Sequence, residues 1–358
     1  MKVGRLKGDA FINEEGVRIS VKTGKPVRKY NKKNKAFWDN EPVIAESPLW
    51  ENLKTVFTED ELTGFVKMKS DPNLLQLVEL KAKPESKSGN IGILIASDWH
   101  YEETVRASTV LGKNEFNADI AEVRAKNFFV NAVATMKHKP IDELIFGCIG
   151  DFIGGFIHEE LQQTNSASPM AAISKVKGVL LSGIKYMLDE LPELTRMTFI
   201  GICGNHSRTT RKMQFANGFD LNHEYFMYKD IQEMCSVLGL SKVEFIIPES
   251  EFAYMDVYGK KLLFCHGHQF RSAGGVGGIY PSMFKWFGRM NQVVPIDKAF
   301  IGHYHTSIWT KEVCVNGSLK GYDAFAIGKG LNYEEPQQTY CILNESRGFI
   351  FYTPIFLD

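Results

Sequence analysis

Five short apolar runs in this 358-residue chain each stop at a cluster of Asp, Asn or His, and no other feature restricts its fold so tightly. Ile91–Ala96 leads to Asp98-Trp99-His100 and Glu143–Ile149 to Gly150-Asp151. Met197–Cys203 leads to Gly204-Asn205-His206, Lys261–Cys265 to His266-Gly267-His268, and Ala299–Ile301 to Gly302-His303-Tyr304-His305. Runs this short and apolar suit strands buried on both faces. Between the first three lie long helical patterns, Ala118–Lys137 and Pro169–Leu191. Strand–helix–strand alternation predicts a mostly parallel sheet covered by helices. In such sheets ligands gather at the carboxyl ends of the strands, where all five clusters fall.

The clusters contain nitrogen and oxygen donors and no thiolate, a ligand set suited to a pair of divalent cations. The six cysteines (148, 203, 235, 265, 314 and 341) have no zinc-ribbon spacing. Several sit inside apolar runs, so they read as small buried hydrophobes in a reducing, cytoplasmic setting. No secretory signal is visible, and no apolar stretch nears the roughly 20 residues that span a membrane. The 42 Lys/Arg balance the 42 Asp/Glu, so net charge alone predicts no polyanion partner. The distribution is uneven: residues 1–35 hold eleven Lys/Arg against Asp9, Glu14 and Glu15. Val17–Val21 alternates as a short strand, Thr58 and Glu61 form a capping box for a helix, and 81–90 resembles a linker. The expected division is a basic accessory segment over 1–88 and a catalytic domain over 89–358. The tail from Gln338 to Phe356 reads as a hairpin turning at Asn344–Gly348. His138 and His223 read as hydrogen-bonded core histidines.

The order Asp-x-His, Gly-Asp, Gly-Asn-His, His, Gly-His-x-His over about residues 90–310 resembles the calcineurin-like metallophosphoesterase superfamily. The resemblance implies a four-layer α/β/β/α sandwich and a binuclear metal site, with manganese foremost and Fe, Zn or Ni also accepted by this ligand set. Carried over residue by residue, Asp98, His100, Asp151 and His305 would hold one cation. Asp151, Asn205, His266 and His303 would hold the other, with Asp151 bridging. His303 and His305 are expected on one side of an extended segment. The implied reaction is metal-assisted phosphate-ester hydrolysis, with His206 protonating the leaving oxygen.

Two positions depart from the superfamily pattern. Ser207 stands where Asp or Glu usually follows Gly-Asn-His, and Gly154 stands where many members carry an acid or His that orients the catalytic His. His158 is the candidate for that orienting role; the alternative is a surface residue at a helix start. His268 either touches substrate or caps its strand.

The superfamily acts on many phosphate esters, so the substrate is read from the surroundings. Ser207–Lys212 is cationic, with Arg208 and Arg211 as candidate substrate contacts. Gln269–Gly288 holds Arg271, the glycines Gly274, Gly275, Gly277 and Gly278, and the aromatics Tyr280, Phe284, Trp286 and Phe287. These aromatics either stack bases or belong to the core. Lys/Arg interleaved with Tyr30, Phe37 and Trp38 either tracks a phosphate backbone or forms a solvated tail or oligomer contact. The motif set is similar to the DNA-repair exonuclease branch, and Gly150–Asn165 with 316–323 to phage- and prophage-encoded phosphoesterases. The expectation is hydrolysis of a phosphodiester in DNA, without a membrane partner. The alternatives are a phosphomonoesterase or protein phosphatase, a cyclic-nucleotide phosphodiesterase, and a non-enzymatic scaffold.

Overall fold

The computed structural model describes residues 10–12, 18–20, 88–271 and 278–358. The chain divides into two compact units, Met1–Glu51 and Asn52–Asp358. In the first, β1 (Ala10–Ile12) pairs antiparallel with β2 (Arg18–Ser20), inside the stretch read as a short strand. The Thr58 helix and the aromatics Tyr30, Phe37 and Trp38 lie outside the described residues.

In the second unit the parallel strands β3 (Asn90–Ala96), β4 (Glu143–Cys148), β5 (Arg196–Gly201) and β6 (Val243–Ile246) lie side by side. The terminal hairpin, β12 (Gln337–Asn344) and β13 (Gly348–Phe356), adds antiparallel to β3, giving the order β13-β12-β3-β4-β5-β6. A second sheet has the order β10-β11-β9-β8-β7. It comprises β7 (Phe252–Val257), β8 (Lys260–Cys265), β9 (Lys298–Ile301), β10 (Ile308–Trp309) and β11 (Val313–Val315).

Side-chain alternation explains why two sheets form where periodicity alone predicts one. On one face of the first sheet Ile93, Ile95, Ile145 and Ile200 meet Leu262, Phe264 and Phe300 of the second. On the other face Phe146 packs against Phe128 and Phe129 of α1 (Ala118–Lys137). Phe199 there packs against Tyr228 of α4 (His223–Val237). The central strands β3, β4 and β5 are buried along nearly their whole length because both faces are covered, one by helices and one by a sheet. The far face of the second sheet carries Leu263, Ala299, Ile301 and Val313 against Met283, Trp286 and Phe287 of α5 (Tyr280–Val293). Helix, sheet, sheet and helix therefore stack in four layers.

The helices begin where the sequence marks them. Asn117 caps α1 by accepting from Asp119 and Ile120, and Ser168 caps α3 (Pro169–Glu190), with Pro at its first turn. Two shorter helices are α2 (Glu159–Thr164) and α6 (Ala324–Gly328). His138 is not a core residue: it is exposed at the C-terminal cap of α1, where the apolar stripe has ended. His223 is half-buried at the start of α4.

Phe264 stacks on Phe300 at 5.0 Å between the sheets, and both are fully buried. Phe264→Ala is expected to destabilise the domain by about 3–5 kcal/mol, read as a lower denaturant midpoint with an unchanged m-value.

Candidate metal centre

Among the described residues seven that are not glycine have positive φ, and five of them are Asp98 (55°), His100 (46°), Asp151 (55°), His303 (70°) and His305 (52°). A left-handed residue with a Cβ costs roughly 1–2 kcal/mol, and such strain concentrates at functional sites. The segment carrying His303 and His305 is therefore not extended as expected. Its strand ends at Ile301 and the chain turns at once, with Tyr304 N donating to Gly302 O at 2.8 Å.

Parallel pairing sets the spacing. Ala96 faces Cys148 across β3 and β4, and the ladder continues past the strand ends. Asp98 N donates to Gly150 O at 3.0 Å, and His100 N donates to Asp151 O at 3.1 Å. The turns bring the side chains into two triads, Asp98–His100–His305 and Asp151–His266–His303, each with its donor atoms within 4.8 Å of one another. In the first triad, His305 Nε2 lies 3.1 Å from His100 Nε2 and 3.4 Å from Asp98 Oδ1. In the second, His266 Nε2 lies 2.9 Å from Asp151 Oδ2, while its Nδ1 donates to Ile149 O at 2.8 Å. Asn205 is at the same mouth, and its buried Oδ1 has no hydrogen-bond partner.

The electrostatics suit cations. Asp98 and Asp151 are 0% and 1% exposed, and Asp98 senses the charge of Asp151. Burial alone would raise both. His305 beside Asp98, and His266 beside Asp151, outweigh it and keep both carboxyls below their ordinary range. Burial pushes His100 down to about 4, and burial with the charge of His266 pushes His303 down to about 3, so both present lone pairs. Burial also works against a charged His266, yet the Asp151 carboxylate raises it to about 10. A proton there and a cation beside Asp151 are alternative ways of compensating one buried negative charge. Anionic oxygens, neutral imidazoles and an orphaned amide oxygen form a donor set that fits divalent metal ions.

Several supporting residues carried no sequence signal. Ser97 Oγ donates to Asp98 Oδ2 at 2.5 Å and accepts from Asn316 Nδ2 at 2.9 Å. Glu224, fully buried in α4, accepts from Phe152 N and Gly204 N, both at 2.7 Å, and so ties the Asp151 loop to the Asn205 loop. Burial, then the charge of Asp151, lifts its carboxyl to about 7. Glu102 accepts from Gly154 N at 3.0 Å and Gly155 N at 2.8 Å. Glu103 lies 2.8 Å from His100 Nδ1 and 2.7 Å from the buried Lys320 Nζ. Close approach explains two motif glycines: a Cβ on Gly204 would lie 2.1 Å from Asp151 Oδ1, and one on Gly302 would lie 2.4 Å from Asp98 Oδ2.

His206 is half-buried, with its backbone N–H on Asp151 Oδ1 at 2.8 Å. Its Nδ1 partner is the Gly154 carbonyl at 2.8 Å, not His158. His158 is exposed at the N-cap of α2, its ring 5.8 Å from that of His206. Arg208 spends its guanidinium on the carbonyls of Asn205 (2.6 Å), Thr210 (3.0 Å) and Arg211 (3.4 Å). Arg211 and Arg271 are exposed, and Arg271 borders residues 272–277, outside the described set. His268 lies 3.0 Å from Glu251, with its ring 5.6 Å from that of His266. The aromatics divide: Phe270 stacks on buried Trp286, while Tyr280 and Phe284 are exposed and stack on each other at 6.5 Å. All six cysteines are free, and among the described residues no helix is long and apolar enough to cross a membrane.

No protein-family profile matches the sequence, and no curated protein matches it. Among solved structures the chain is similar to a predicted phosphoesterase from Streptococcus pneumoniae, at 10% identity over 74% of this chain and 98% of that one, TM-score 0.27. It is also similar to Vps29 complexed with zinc from Entamoeba histolytica, at 11% identity over 75% and 99%, TM-score 0.27. A putative 5'-nucleotidase from Staphylococcus aureus matches at 12% identity over 75% of this chain and 55% of that one, TM-score 0.31. At these identities the likeness concerns the fold alone.

Glu224→Ala leaves two buried amide donors unpaired. It is expected to cost about 2–4 kcal/mol and to lower bound metal, measured by urea denaturation and elemental analysis; Glu224→Gln, which keeps one acceptor oxygen, should lose less.

Proposed function

We propose that the chain is a metal-dependent phosphoesterase that hydrolyses phosphodiester bonds. The observation that carries this reading is the pair of Asp–His–His triads at neighbouring strand ends, built on strained backbone around two buried carboxylates. Asp98, His100 and His305 would hold one divalent cation, and His266, His303 and Asn205 the other, with Asp151 shared. Manganese is the first candidate, and Fe, Zn or Ni suit the same nitrogen and oxygen donors. Such ions neutralise charge on phosphate oxygens and lower the pKa of water.

The chain's own groups supply the rest. The Gly154 carbonyl can only accept, so His206 Nδ1 carries a proton and the ring is held in one tautomer. Nε2 is then the free nitrogen, and when protonated in the imidazolium it would deliver that proton to the leaving oxygen and return the ring to its neutral Nδ1–H form. Buried Glu224 and Glu102 keep the two loops around His206 in place.

DNA is the proposed substrate. The exposed cations Arg211 and Lys212, the exposed pair Tyr280 and Phe284, and the basic residues 1–35 support a polyanion with stackable bases. The second reading is a phosphomonoesterase, favoured by Arg208, whose guanidinium donates to three carbonyls of its own loop and not outward to a polymer.

Two outcomes are expected. With Mn²⁺, the protein cleaves a bis-aryl phosphodiester and labelled DNA faster than an aryl monoester or cyclic nucleotides, and chelation or Asp151→Asn abolishes all of it. A strong monoester preference without DNA cleavage would sink the nuclease reading. His206→Gln should lower turnover of a diester with a poor leaving group by about 100-fold, with a much smaller effect on a 4-nitrophenyl ester. Equal losses on both would remove His206 as proton donor.

A further inference from the structure

The carboxylate of Glu103 lies where a side chain of residue 154 would be. A Cβ built on Gly154 would meet Glu103 Cγ and Oε1 at 2.6 Å. Gly154 is also the residue whose carbonyl holds His206 Nδ1. Two consecutive glutamates after His100 therefore serve one glycine. Glu102 accepts from its amide, and Glu103 fills its side-chain space.

Glu103 is buried at 7% exposure. Its Oε2 is paired with Lys320 Nζ at 2.7 Å, and Lys320 is paired in turn with Asp323 at 2.8 Å. Its Oε1 lies 2.8 Å from His100 Nδ1, yet neither atom has a hydrogen bond of good geometry. A Glu103 oxygen and one ring nitrogen each of His100 and His206 lie within 4.8 Å of one another, and the two rings meet edge to face at 4.7 Å. A third cation is disfavoured in this cluster, because Lys320 already supplies the positive charge that Glu103 requires. The sequence neighbour of His206 contributes no charge: Ser207 Oγ donates to Asn222 Oδ1 at 2.7 Å.

We infer that Glu103 is the positioning residue for His206, its carboxylate holding the imidazole from the volume that Gly154 leaves open. It packs against His100 in the same way, so one side chain couples the proton donor to the first triad. Lys320 keeps Glu103 in place, with Asp323 behind it. This rests on His206 as the proton donor, and it assigns Gly154 a purpose: any side chain there would displace Glu103.

The test exchanges the two positions. Four proteins, parent, Glu103→Ala, Glu103→Gln and Glu103→Ala with Gly154→Asp, are loaded with diamagnetic Zn²⁺ and compared by imidazole NMR, with His206→Gln assigning the resonance. In the parent the His206 Nδ1–H should exchange slowly with water. Exchange should quicken in Glu103→Ala and slow again in the exchanged protein. In parallel, the ratio of alkyl to 4-nitrophenyl diester turnover should fall about tenfold in Glu103→Ala and recover in the exchange. Gly154→Asp alone should be impaired, because its side chain meets Glu103. If Glu103→Ala does not fold, Glu103→Gln carries the same comparison, since Lys320 keeps its Asp323 partner. Unchanged Nδ1–H exchange in the folded Glu103 variants would overturn the inference, as would an exchanged protein no better than Glu103→Ala. If Nδ1–H exchange responds but His206→Gln leaves the alkyl-to-aryl ratio unchanged, the positioning role stands and the proton-donor reading falls.

Discussion

Two carboxylates, Asp98 and Asp151, are buried beside each other at adjacent strand ends, and much of the surrounding structure exists to make that tolerable. Each would be pushed toward its neutral form by burial, and the charge of Asp151 raises Asp98 further by repulsion. The protein counters with imidazoles at 2.9–3.4 Å, with backbone N–H groups of His206 and His303, and with the hydroxyl of Ser97. These partners stabilise negative charge without cancelling it. A buried concentration of anionic oxygen faced by lone-pair nitrogen is poised for cations, and the parallel register of β3 and β4 fixes how far apart the two carboxylates stand.

The strain follows from the same demand. A strand that continued straight would point successive side chains to opposite faces. Turning each chain into the left-handed region at the ligand redirects the side chain across the mouth of the sheets. The cost, roughly 1–2 kcal/mol for each such residue, must be met by contacts that fix the turns. Buried glutamates do this. Glu224 joins the loops after β4 and β5, and Glu102 clamps the Gly154–Gly155 turn. Each accepts two backbone N–H bonds at 2.7–3.0 Å. Their removal would free loops whose relaxed conformations do not present ligands.

How much of this was legible in the sequence depends on how local the signal is. The helices over Ala118–Lys137 and from Pro169 were readable because caps and periodicity act within a few residues. The strands and their terminal motifs were readable because an apolar run ending in Gly-Asp or Gly-Asn-His is a contiguous string. The second sheet facing the first was not readable from periodicity, since a strand buried under helices and one buried under a sheet look alike; the expected four layers came from the resemblance. Left-handed φ at His303 and His305 defeated the extended reading, because nothing in the residue types announces it. Glu224 and Glu103 were invisible for another reason. They reach the centre from a helix and a turn with no motif of their own, and a lone Glu in sequence is more often a solvated surface residue. Gly154 looked like the loss of an orienting group, and only the space around it shows that Glu103 fills the gap.

The division among the basic and aromatic residues bears on what such a centre would grip. Arg208, the nearest cation in sequence to His206, is committed to three carbonyls of its own loop. It therefore shapes the loop and has little donor capacity left for a phosphate. Charge available to a polymer sits farther out, on exposed Arg211 and Lys212, and stacking surface sits on Tyr280 and Phe284 at the exposed side of α5. The opposite side of that helix, Trp286 and Phe287, is spent on the core. A single small ester would meet only the triads and His206, whereas an extended phosphodiester would also meet the periphery. Affinity for a long substrate would then be set by contacts remote from the chemistry, and would fall with salt in proportion to the phosphates neutralised. The chemical step would remain a property of Asp98, Asp151 and the groups that keep them charged.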